Sequence, residues 1–148
     1  MIPLKEIKKE LLSVLKGLYP DGYAFYGREV TEGYGRPSFF TQLLPVSSEA
    51  ETMWVKDRAF IFEITYFQKE PDEADALQKI SEIEGAFGNK VKIKDRYANV
   101  TEFEYGFTGR MNDIPQARVE FSFKDAAWKK ADDAVPVRNV AMKVEMEG

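Results

Sequence analysis

Two stretches decide how this chain folds: Arg36-Pro37-Ser38-Phe39-Phe40-Thr41-Gln42-Leu43-Leu44-Pro45 and Phe60-Ile61-Phe62-Glu63-Ile64-Thr65-Tyr66-Phe67. In the second, Phe60, Phe62, Ile64 and Tyr66 alternate with Ile61, Glu63, Thr65 and Phe67. Alternation at period two marks a strand with one buried face. The first stretch is apolar on both faces, Phe39 and Leu43 on one and Phe40 and Leu44 on the other. Such a strand lies inside a sheet or has one face awaiting a partner. The two are read as the centre of the sheet.

Between them, Val46 to Arg58 is longer than a tight hairpin turn, so both strands can extend into it as a protruding ribbon. Trp54 stands there between Met53 and Val55. It either closes the edge of the core or anchors an interface, where Trp and Met are enriched.

Upstream, Leu4, Ile7, Leu11, Leu15 and Leu18 recur at spacings of three and four, which predicts a helix ended by Tyr19-Pro20-Asp21-Gly22. Tyr23 to Gly27 is a short aromatic strand candidate, followed by a polar loop through Gly33-Tyr34-Gly35. That glycine pair is no phosphate loop, because no Lys-Ser/Thr follows it.

Downstream, Asp72 is placed to cap a second helix, with Ala76, Leu77, Ile80, Ile83 and Phe87 as its apolar stripe and Gly88 or Asn89 at its end. Glu70, Asp72, Glu73 and Asp75 lack the spacing of a calcium loop and suit the positive end of the helix dipole. Lys90 to Lys94 leads into a strand carrying Phe103, Tyr105 and Phe107 on one face. After a turn-rich loop, Ala117, Val119, Phe121 and Phe123 form the inward face of a last core strand. The two strands read as a hairpin whose aromatic faces pack on the helices.

The order of elements predicts an α+β fold, a mostly antiparallel sheet of four to six strands with two helices packed on one face. Residues 1–125 read as the domain and 126–148 as a C-terminal extension. In the extension Val140, Met142, Val144 and Met146 alternate with Ala141, Lys143 and Glu145. This is either one more strand of the home sheet or an arm that adds to the sheet edge of another subunit.

With 148 residues, 44% of them hydrophobic, the chain can bury a sizeable core. It contains no cysteine and no histidine, which removes disulfides, thiolate and imidazole metal ligands and the commonest general base. No serine sits in a nucleophile elbow, and no carboxylate pair stands out. No catalytic, metal or cofactor residue is therefore assigned. A net charge of -4 argues against a sequence-independent DNA binder. No apolar run is long enough to span a membrane and no leader is recognisable at Met1-Ile2-Pro3, so a cytoplasmic protein is expected.

Several segments resemble the small tail-terminator family of tailed phages and phage-tail-like particles of Gram-positive bacteria. They are the first helix with Tyr19-Pro20, Tyr26 to Gly33, Arg36 to Pro45, Ile64 to Phe67 and Val91 to Tyr97, collinear over roughly residues 3 to 124. The tail from Trp128 to Gly148 lies outside the match. The resemblance implies a structural, non-enzymatic protein that forms a homo-hexameric ring on the tail tube protein. It would stop tube polymerisation and join the neck or head-completion protein, meeting the sheath protein where the tail is contractile. DNA would pass through the ring without being specifically bound. The protein would be made in the host bacterial cytoplasm and reside at the head-proximal end of the tail. Tyr34, Arg36, Phe39, Met53, Trp54, Val55, Trp128, Val140, Met142 and Val144 are the candidate assembly-interface residues. The competing expectation is a small ligand- or protein-binding module with an aromatic pocket.

Overall fold

The computed structural model describes residues 1–28 and 35–127. Two helices, α1 (Leu4–Leu18) and α2 (Glu73–Phe87), lie on one face of a six-stranded sheet. The strands are β1 (Ala24–Tyr26), β2 (Ser38–Ala50), β3 (Val55–Phe67), β4 (Lys90–Ile93), β5 (Arg96–Thr108) and β6 (Ile114–Ala126). Their spatial order is β1-β2-β3-β6-β5-β4. Every pairing is antiparallel except that of β1 with β2. The expected α+β class is what the chain adopts.

The centre of the sheet differs from expectation. β3 pairs with β2 on one side and with β6 on the other, so the middle of the sheet is β3 with β6. β2 lies one place outward. The reason is the flanking strand: β1 covers only Ser38 to Phe40 of β2 and leaves the remainder of that side without a strand among the described residues. The run from Lys90 also divides in two. Lys94, in the left-handed region at φ 59, turns β4 back into β5.

The core is built from the alternating sets. Phe60, Phe62 and Ile64 of β3 and Ala117, Val119, Phe121 and Phe123 of β6 are buried against Ile7, Leu11 and Leu15 of α1 and Ile83 and Phe87 of α2. Helix α1 contacts both β2 and β4, which lie towards opposite edges, so the sheet curls around it. The Asp72 carboxylate accepts from Asp75 N and starts α2, and Gly88, at φ 58, ends it. In the stripe of α2, Leu77 is the exception: it is exposed, and Lys79 takes an inward position instead.

The sheet outruns its helices. A 15-residue helix is ~22 Å long, whereas 13-residue strands reach ~43 Å. The β2–β3 hairpin therefore projects at one end of the molecule and the β5–β6 hairpin at the other. Phe103 reaches the core, but Tyr105 and Phe107, expected to pack on the helices, are exposed although their β6 partners Ala117 and Pro115 are buried: at this level the helices cover β6 and stop short of β5.

Candidate functional site

Among the described residues, most of the exposed large apolar side chains lie on the two projecting hairpins; Leu4, Leu77 and Tyr97 are exposed elsewhere. At the β2–β3 tip Met53 is 76% and Trp54 67% exposed, with Val46 also open on the β2 side. The tip is nevertheless a built turn. Thr52 Oγ1 accepts from both Trp54 N and Val55 N at 3.1 Å, and Ala127 N donates to Trp54 O at 3.0 Å. Lys124 Nζ reaches across the strands to the Glu51 carboxylate at 2.6 Å. A Trp held out on a tied turn has lost much of its freedom before it meets anything, which favours its use as an anchor.

At the base of this ribbon sits a buried ion cluster. Asp125, 2% exposed, accepts from Ile2 N at 2.7 Å and from Arg58 Nη1 at 2.9 Å, and pairs with Arg96 Nε at 3.0 Å. Arg58, also buried, donates to Ile2 O at 2.7 Å and lies over the rings of Phe60 and Phe123. Burial by itself would raise the Asp125 pKa. The backbone N–H groups of Ile2 and Ala126 and the two guanidinium groups outweigh it and hold the carboxyl below its ordinary value. The cluster binds the start of the chain to the ends of β3, β5 and β6, so the tip leaves from a fixed base.

A second buried polar group fastens the helices at the opposite end. Lys79 Nζ pairs with Asp75 at 2.9 Å and lies 5.4 to 5.6 Å from the ring centres of Tyr19, Tyr23 and Tyr66. Tyr66 O–H donates to Asp75, and Tyr19 O–H donates to Glu82. Burial, reinforced by these hydrogen bonds to carboxylates, pushes both tyrosine pKa values upward. For Lys79, burial works against the charge, and the hydrogen bonds and charge interactions with Asp75 and Tyr23 together outweigh it and raise the pKa. The lysine is thus a charged internal tie enclosed by aromatic faces.

The candidate interface residues fall into four groups. Met53 and Trp54 are open on the ribbon tip and Val55 is half-buried beside them. Arg36 is exposed, with Nη1 donating to Gln68 O at 2.9 Å and its guanidinium over the Phe67 ring. Phe39 is fully buried, its ring stacked with Tyr19, Phe25 and Tyr66, which takes it off the surface. Its neighbour across β2, Thr41, is buried as well, because the inward face of the strand continues past Phe39. Tyr34, Trp128, Val140, Met142 and Val144 lie outside the described residues.

Sequence periodicity missed the second apolar end. Tyr105, Phe107 and Met111 on the β5–β6 hairpin, and Leu77 on α2, are all exposed. Strand length gave no signal, since β6, of the same length, is buried along its whole inward face; what decides is how far sideways the helical layer extends, which no local pattern encodes.

Among the described residues, neither of two hollows is an aromatic ligand pocket. A groove of about 490 Å³ is open and lined mainly by polar and charged side chains, among them Asp57, Arg96, Asn99 and Lys124. A gap of about 10 Å³ separates α2 from the sheet near Lys79 and Pro115, room for no more than one water. Among the described residues no three carboxylates are grouped to hold a metal ion, and no helix is long and apolar enough to cross a membrane.

A family model described as phage tail terminator protein matches residues 6–134. Several solved structures are similar; one of them has a TM-score of 0.54 at 10% identity, over 88% of this chain and 99% of that one, a likeness of fold. No curated protein matches.

Proposed function

Since this chain belongs to the phage tail terminator family, and so is a structural protein of tail assembly, we propose that it caps the end of a phage tail tube. In this reading it halts tube polymerisation and presents the joining surface to the neck or head-completion protein. The working form is a homo-hexameric ring at the head-proximal end of the tail, assembled in the host bacterial cytoplasm. In a contractile tail the ring also meets the sheath protein. DNA passes through its lumen without being specifically bound, in keeping with the net negative charge.

The observation that carries the reading is the family match over residues 6–134. The exposed apolar ends support it. A closed ring of identical chains needs two different surfaces on each subunit. The Met53–Trp54 tip and the Tyr105–Phe107–Met111 end lie at opposite ends of the sheet, so one can serve the neighbour or the tube while the other serves the next partner. Trp and Tyr in such positions are the residue types that dominate interface energetics. Arg36, with its side chain already held by Gln68 and Phe67, is exposed at the end of the β2–β3 ladder away from the Met53–Trp54 tip.

Purified tube protein polymerised with and without this chain tests the function. Short tubes capped at one end, with a length set by the ratio of the two proteins, are the expected result. Unchanged tube length with no bound chain overturns it. The ring is tested by light scattering over a concentration series, with and without tube subunits, and a discrete six-fold mass is expected.

A further inference from the structure

The sheet has two long sides with little strand cover, and they are not alike. On β2, the strand partner β1 stops at Phe40, but the exposed side beyond it is broken by Pro45, which has no N–H, and by a register shift between Pro45 and Ser47. Proline and bulges are the usual guards against strand addition. On β5, the partner β4 reaches only Asn99, and Val100 N donates to Asn89 O. From Thr101 to Thr108 no strand among the described residues covers that side. Beyond the shift between Val100 and Glu102 this edge is regular and free of proline. Eight residues of open strand offer roughly 26 Å of backbone donors and acceptors.

The two faces of that edge have different chemistry. Phe103, Tyr105 and Phe107 lie on the helix side, paired with Val119, Ala117 and Pro115 of β6. Glu102, Glu104 and Gly106 lie on the other. An occupant should be an extended segment of about seven residues, apolar at alternate positions, with a cation among the intervening ones.

The chain contains such a segment. Val140, Met142, Val144 and Met146 alternate with Ala141, Lys143 and Glu145, outside the 6–134 range of the family match. We propose that residues 140–146 of one copy add as a seventh strand to the Thr101–Thr108 edge of β5 in the neighbouring copy. This rests on the ring reading and names a contact that would hold the ring together. Met142, Val144 and Met146 then lie beside Phe103, Tyr105 and Phe107, burying apolar area that is open in the single chain. Parallel addition with Lys143 beside Glu104 sets Ala141 beside Glu102 and Glu145 beside Gly106, so that no like charges meet. Ala127 is tied to Trp54 at the ribbon end, and Thr101, where the open edge begins, lies level with Phe121 and Glu120, roughly 20 Å back along β6. Residues 128–139 add up to roughly 40 Å of reach, enough for the chain's own edge or that of an adjacent subunit. The ring, whose neighbours must be held to one another, assigns the arm to the adjacent subunit.

Absence of cysteine makes the test direct. Gly106→Cys is tolerated sterically, since a Cβ there meets nothing within 4 Å. A full-length G106C chain is mixed with an E145C chain, or with an A141C chain, and oxidised at a concentration where light scattering shows rings. A disulfide-linked pair of different chains is expected with E145C for parallel addition. A link to A141C instead supports the same contact with antiparallel strands. V144C, on the opposite face, should not link to G106C. A bridge that forms only within the double variant G106C/E145C or G106C/A141C, and never between mixed chains, assigns the arm to its own sheet and overturns the proposal. No link of any kind in intact rings overturns it too, as would a chain truncated after residue 134 that assembles at unchanged concentration. Under the proposal that truncation raises the assembly midpoint tenfold or more. A full-length chain that stays monomeric with and without tube subunits overturns the ring reading itself, and this inference with it.

Discussion

The two hairpins are built from the same material. Both pair strands of 13 residues, both bury aromatic side chains at alternate positions, and both end in exposed apolar residues. They differ in how the exposed end is held. The β2–β3 tip rises from the Asp125–Arg58–Arg96 cluster and is closed by Thr52 and the Lys124–Glu51 pair. The β5–β6 end has one turn hydrogen bond, Asn112 N to Gly109 O, around a glycine at φ +91. Alternation decides which way a side chain points, while burial depends on whether a helix lies above it. The same pattern therefore yields core at one position and contact surface a few residues along.

Substitutions can break this contrast. Phe62→Ala, in the covered part of β3, should cost about 3–5 kcal/mol of unfolding free energy, read from urea denaturation. Tyr105→Ala, on the uncovered part of β5, should change stability by no more than about 0.5 kcal/mol. Comparable losses would mean that β5 is covered in the isolated chain. At the ribbon base, Asp125→Ala leaves two guanidinium groups facing a vacant site and should cost about 3–5 kcal/mol, because one partner of a buried ion pair is removed.

The same carboxylate predicts an acid response. Its pKa is lowered in the folded chain, so its contribution is fully present above the unfolded value of about 3.9 and is lost as pH falls through the folded value. Urea midpoints of the parent and Asp125→Ala chains should converge below that pH. A constant gap down to strong acid would assign the cluster's effect to packing rather than to charge.

Smaller effects sharpen the contrast at the tips. Gly109→Ala would set a Cβ 2.8 Å from Ile114 Cδ1 at a backbone angle that disfavours L side chains, a cost of about 1–3 kcal/mol by thermal denaturation. Trp54→Ala should move stability by no more than about 0.5 kcal/mol and yet lower tube capping in the length assay. Loss of folding with Trp54→Ala would return that residue to the core.

Much of the fold was legible because periodicity and capping are local. The bounds of α1, the Asp72 cap, the Gly88 stop, the inward faces of β3 and β6 and the extended ribbon all follow from neighbouring residues. The centre of the sheet was not legible, since the adjacency of β3 to β6 is a pairing across more than fifty residues that no local pattern encodes. Lys79 was hidden for a related reason: a lysine reads as surface until Tyr19 and Tyr23 of the α1–β1 connection, Tyr66 of β3 and Asp75 converge on it. At the candidate site, Met53 and Trp54 stood out as an apolar pair in a polar link. Phe39 misled because its stretch is apolar on both faces, and only the stacking of Tyr19, Phe25 and Tyr66 shows which face is covered.

The exposed indole at position 54 also gives the protein an optical property. Indole emission follows the polarity of its surroundings, and Trp54 is already in water in the isolated chain. Its emission should therefore change little when the chain unfolds and shift to shorter wavelength when the tip is covered by a partner. In a Trp128→Phe background, leaving Trp54 as the single indole, fluorescence would report docking while remaining nearly silent to folding.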